Sequence, residues 1–63
     1  MEEQVLYNVL KNIKNGGNGS QQAPTQSYLD ALDTVGIINI DWDTTLTKLG
    51  HSIFDHLEYK LDR

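Results

Sequence analysis

Gly36-Ile37-Ile38-Asn39-Ile40-Asp41-Trp42-Asp43-Thr44-Thr45-Leu46-Thr47 decides the fold, because the apolar period changes there. Upstream, apolar residues recur at the three- and four-residue spacing of helices; from Ile37 onward they alternate. Alternation sets Ile38, Ile40 and Trp42 on one side of an extended strand, with Ile37, Asn39 and Asp41 on the other. Residues 41–44 supply turn-forming side chains, after which Thr45-Leu46 pairs back as a short second strand. A two-stranded ribbon over residues 37–46 is marginal alone in water and must lean on helices. This reading tucks Trp42 under the hairpin beside the isoleucines, as suits a residue type that is highly buried on average. Standing out at the tip instead, the same ring would be a binding anchor.

Helical patterns flank the hairpin. Leu29, Leu32 and Val35, with Tyr28 beside them, make the apolar stripe of a helix over residues 25–35. Pro24 suits the start of that helix, Thr25 or Ser27 can cap it, and Gly36 ends it. Ser27 followed by Asp30 falls just short of a capping box, with Asp in place of Glu. After the hairpin, Ile53, Phe54, Leu57 and Leu61 are the buried stripe of a helix over residues 47–61 that opens on Thr47 as cap. Gly50 in its first turn lowers helix propensity, which points to backbone packed close against it. At the other end of the chain, Val5, Leu6, Val9, Leu10 and Ile13 gather on one face of a helix over residues 2–14. Glu2 and Glu3 suit the positive end of its dipole and Lys11 and Lys14 the negative end, with Gly16 as a left-handed cap. Residues 15–23 read as a flexible loop, glycine-rich and without apolar periodicity. The expected fold is therefore α+β and mostly helical, three helices plus a two-stranded β-hairpin, in one domain of 63 residues.

A chain this short buries only about 60% of the surface its unfolded form exposes, so its stability margin is thin. With no cysteine, neither a disulfide nor a thiolate metal site can add to it; close helix packing or self-association can. Five Lys or Arg against nine Asp or Glu leave a formal net charge of −4. Nucleic-acid binding, which draws its non-specific affinity from phosphate neutralisation, is disfavoured by that sign. An anionic membrane surface is disfavoured likewise, and no apolar run approaches the roughly 20 residues that cross a bilayer. Met1-Glu2-Glu3-Gln4 lacks the basic-then-apolar layout of a secretory signal, so a cytoplasmic location is the expectation.

The order helix, loop, helix, hairpin, helix resembles a winged helix-turn-helix domain. The stretch from Pro24 through the Leu29/Leu32 pair to Gly36-Ile37-Ile38 is similar to the recognition helix of that family and its passage into the wing. Leu46-Thr47-Lys48-Leu49-Gly50 is similar to the segment that leaves the wing and opens the closing helix. The family also places a full helix before the recognition helix, where this chain has only Ser20-Gln21-Gln22-Ala23. What the resemblance implies is a contact surface made of Thr25, Gln26, Ser27, Tyr28, Asp30, Asp33 and Thr34, with Asp41, Trp42 and Asp43 in the wing. None of these is basic, and a carboxylate brought to a phosphate is repelled. The expectation is a small regulatory protein that meets a basic protein partner, or another copy of itself, through an acidic surface. The rival is a dimeric DNA-binding regulator with Thr25, Gln26 and Ser27 near bases and Lys48 near a phosphate. Lys11, Lys14 and Lys60 would strengthen that rival if they shared a face.

Catalytic and metal chemistry find little in the sequence. Gly16, Gly17 and Gly19 follow a helix rather than a strand and precede no Lys, unlike a phosphate-cradling loop. A calcium loop opened by Asp41 would need Gly at its sixth position and Glu at its twelfth; these are Leu46 and Ser52. His51 and His56, five apart, diverge by roughly 140° around a helix. Nothing joins a nucleophile to a base in a sheltered cleft. No cofactor is implied, and the chain reads as a non-enzyme.

Overall fold

Three helices and a two-stranded antiparallel sheet make up the computed structural model, which describes residues 3–61. Their order is α1 (Glu3–Lys14), α2 (Gln26–Thr34), β1 (Ile38–Ile40), β2 (Thr44–Leu46) and α3 (Lys48–Leu61). The arrangement is α+β and mostly helical. Glu2, assigned to the first helix by its spacing, lies outside the described residues.

Each helix turns most of its apolar stripe inward, with Val5, Ile53 and Leu61 partly buried at the edge. Leu6, Val9, Leu10 and Ile13 of α1 meet Leu29 and Leu32 of α2 and Phe54 and Leu57 of α3, with Ile38 of β1 closing the core. Tyr7 joins them, stacked on Phe54 with ring centroids 5.3 Å apart and planes 5° from parallel. Lys60 Nζ reaches Glu3 Oε2 at 2.7 Å. These two pairings run α1 and α3 antiparallel. Among the described residues, no helix is long and apolar enough to cross a membrane.

The passage from α2 through β1 to α3 turns on two glycines and a threonine. Gly36 takes a φ of 87°, a left-handed conformation that costs a side-chain-bearing residue steric strain. Its N–H bonds the Asp33 carbonyl and that of Ile37 the Leu32 carbonyl, the paired bonds of a Schellman cap. Thr47 then clamps this corner to α3. Its hydroxyl donates to the Gly36 and Ile37 carbonyls, sharing one proton, and accepts from the Gly50 N–H at 3.1 Å. A Cβ on Gly50 would overlap the Ile37 carbonyl oxygen. That is the close backbone approach its place in a first helical turn points to.

Several sequence expectations need correction. Thr25 is the N-cap of α2, accepting from the Tyr28 N–H through Oγ1, so the helix proper starts one residue later. Val35 is not in the buried stripe: it is the C-cap and 61% exposed. Ile37 precedes the strand, its carbonyl given to Thr47. Thr44 belongs to β2, opposite Ile40, which leaves residues 41–43 as the turn. Trp42 is not under the hairpin; it is 97% exposed. Alternation predicts its side only while the chain stays extended, and the strand has stopped at Ile40. There the Asn39 side chain takes the Asp41 N–H at 3.1 Å and bends the backbone away. Residues 15–23 form the connecting loop, which contains hydrogen-bonded turns: Gly19 is buried, and its carbonyl accepts from the Gln22 and Ala23 N–H groups.

Candidate functional site

Among the described residues, the hairpin tip carries the most exposed large apolar side chain, Trp42. Register pairs Ile38 with Leu46, Asn39 with Thr45 and Ile40 with Thr44, so Asp41-Trp42-Asp43 closes the end. Ile40 sits at the rim, 39% exposed, on the side of β1 whose inner end is the buried Ile38. The indole of Trp42 is almost wholly in water between two exposed carboxylates.

A cleft of about 560 Å³ opens beside it. Trp42, Asp43 and Thr44 form one wall, and the end of α1 with its following loop forms the other through Asn12, Asn18 and Gln21. Local hydrogen bonds hold the loop wall in place. Asn12 Oδ1 accepts from the Gly19 N–H at 2.8 Å, and Asn18 Oδ1 accepts from the Ser20 N–H at 2.9 Å and the Ser20 hydroxyl at 2.7 Å. Gly16 and Gly17 donate their N–H groups to the Ile13 and Asn12 carbonyls as the C-cap of α1. All three glycine N–H groups that a phosphate would seek are thus already given away.

The α2 positions stand apart from this cleft, which takes Trp42 and Asp43 and none of the α2 residues. Thr25, Gln26, Ser27, Asp30, Asp33 and Thr34 are exposed on α2 and its cap. Gln26 Nε2 leans to Asp30 Oδ1 at 3.4 Å, and Thr34 Oγ1 donates back to the Asp30 carbonyl at 2.9 Å. Tyr28 is half-buried, its hydroxyl enclosed without a hydrogen-bond partner, and burial raises its pKa above the ordinary 10.0.

Among the described residues three lysines have side-chain partners, and Lys48 is exposed at the start of α3. Lys11 Nζ stands 5.7 Å from the Tyr7 ring centre and Lys14 Nζ 4.7 Å from that of Phe54, while Lys60 pairs with Glu3. His51 and His56 are both exposed, and among the described residues no three His, Asp or Glu side chains gather as metal ligands.

Sequence reasoning singled out Trp42 and Asp43 but missed Asn12, Asn18 and Gln21. The available signal was a polar, carboxamide-rich loop with two adjacent glycines; what no local pattern carries is its juxtaposition with a hairpin more than twenty residues away. Comparison with protein-family models, curated proteins and solved structures gives no match.

Proposed function

We propose that this chain is a small non-enzymatic regulatory protein that acts by docking an acidic surface of winged-helix type onto a basic protein partner. The observation that carries the reading is Trp42, 97% exposed between Asp41 and Asp43 at the hairpin tip. A fully hydrated indole gains free energy only by being covered, and Trp is among the residues that dominate protein interfaces. Flanking carboxylates choose the sign of the partner and speed encounter with it. The element order supports winged-helix kinship, with one hydrogen-bonded turn, Gly19 to Ala23, where that family has a full helix. Protein rather than DNA is favoured because the net charge is −4 and neither α2 with its cap nor the hairpin tip carries a Lys or Arg to neutralise phosphates.

The test is photo-crosslinking in cells from position 45, an exposed site on β2 beside the tip, followed by titration of the captured protein against wild type, Trp42→Ala and Asp41→Asn/Asp43→Asn. The expected result is a partner with a basic surface whose affinity falls about ten-fold or more in each variant and weakens with salt. Unchanged affinity in both variants would overturn the reading. So would saturable, salt-sensitive binding of labelled duplex DNA at low ionic strength, which belongs to the DNA-binding rival.

A further inference from the structure

The cleft beside Trp42 has a chemistry of its own. Its volume of about 560 Å³ lies within the roughly 300–1,000 Å³ span of ligand-binding clefts. No Lys or Arg lines it, and its one charged group is Asp43. Asn18 Oδ1 already accepts two hydrogen bonds and Asn12 Oδ1 one, so what these side chains offer outward is mainly N–H. The Trp42 indole also offers N–H only, while Gln21 offers both a donor and an acceptor. The free donors therefore seek carbonyl oxygens, the carboxylate seeks a cation, and the indole face seeks an aliphatic or cationic cover.

An extended peptide carrying a Lys or Arg side chain meets all three demands. Its backbone carbonyls match the carboxamide and indole donors, and its side-chain stem lies along apolar surface while the charged head reaches a carboxylate. Gly16, with open space where a side chain would stand, leaves room at the edge of the cleft for a second backbone. A neutral saccharide would use the amides and the ring but has no use for Asp43. We infer that the cleft between the glycine-rich loop and the hairpin tip binds a short extended peptide segment of the partner, with a Lys or Arg side chain directed at Asp43. This rests on the protein-partner reading and narrows it to a linear segment.

Trp42 is the single tryptophan, so its emission reports the cleft directly. The probes are blocked pentapeptides with Arg or Lys at the centre, against the same peptides with Gln or Glu there. The expected result is a saturable emission change with the Arg and Lys peptides, about ten-fold weaker with the Gln or Glu peptides and in Asp43→Asn or Gln21→Ala. Both substituted side chains are exposed, so unchanged circular dichroism will establish that those variants fold. No saturable change with any peptide, equal binding by Asp43→Asn, or a response to a neutral trisaccharide in place of the peptides overturns the inference. If Trp42→Ala abolishes partner capture while the peptides stay silent, the tip docks on a folded surface: the cleft inference fails and the broader function stands. If the peptides bind as expected and no partner is captured, the cleft inference stands and the regulatory reading loses its support.

Discussion

Tyr28 turns its hydroxyl inward to a place where nothing accepts or donates to it. An enclosed polar atom without a partner loses its water hydrogen bonds and gains none, at about 1–3 kcal/mol. Tyr28→Phe keeps the ring and deletes the orphan, so it should stabilise the fold by about 1 kcal/mol in urea unfolding. The same burial raises the hydroxyl pKa in the folded state above 10.0. Below that pH both states keep the proton and the raised pKa has no effect on relative stability. Above it the unfolded chain ionises first, so stability declines as pH climbs through the folded value. Tyr28→Phe should therefore fall less steeply than wild type between about pH 9.5 and 11. Equal slopes would show that the hydroxyl ionises as readily in the fold as outside it.

At the scale of elements, what the sequence made legible depended on range. The helices were readable because their causes are local: a stripe at three- and four-residue spacing, a capping threonine, a glycine after the last turn. Gly50 was readable as a contact because a glycine in a first helical turn has no helical reason to be there. Trp42 was misread because a period-two rule was carried two residues past the end of a three-residue strand. The cleft was illegible because α1 and β2 meet only in the folded chain. The α2–β1–α3 corner gives the sharpest test at this scale. Alanine is the better helix former by about 1 kcal/mol, so propensity alone says Gly50→Ala stabilises. Its methyl would overlap the Ile37 carbonyl oxygen, and backbone cannot swing aside as a flexible side chain can. Overpacking of this kind costs about 1–3 kcal/mol, and displacing Ile37 would also loosen its bonds to Thr47. The steric effect wins: Gly50→Ala should lower the unfolding free energy by about 1–2 kcal/mol. A stabilised Gly50→Ala would mean that α3 can shift away from the corner at no cost.

For the whole molecule the deciding quantity is charge on a small body. The radius of gyration is 10.5 Å, so a net charge of −4 is carried within a few Debye lengths. Among the described residues the one ion pair is Lys60–Glu3, half-exposed and worth at most about 1 kcal/mol. Asp30, Asp33, Asp41 and Asp43 stay solvated, and Asp33 sits in the last turn of α2, where the helix dipole disfavours a negative charge. Repulsion among these carboxylates opposes the lone pair and exceeds it in number of charges, so screening should stabilise the fold. Raising sodium chloride from about 0.05 to about 0.5 M should lift the thermal midpoint by a few degrees, since each kcal/mol is worth about 4–8 °C in a domain of this size. Asp33→Asn should start higher and gain less from salt. A midpoint that falls with salt would show that the Glu3–Lys60 pair and the lysine–ring contacts outweigh the repulsion. The repulsion also bears on docking, because a cationic partner that neutralises these carboxylates relieves it on the folded state alone. Such a partner stabilises the fold by mass action. Salt then acts in opposite directions on the two measurements, strengthening the free domain while weakening its complex, and one titration series can read both.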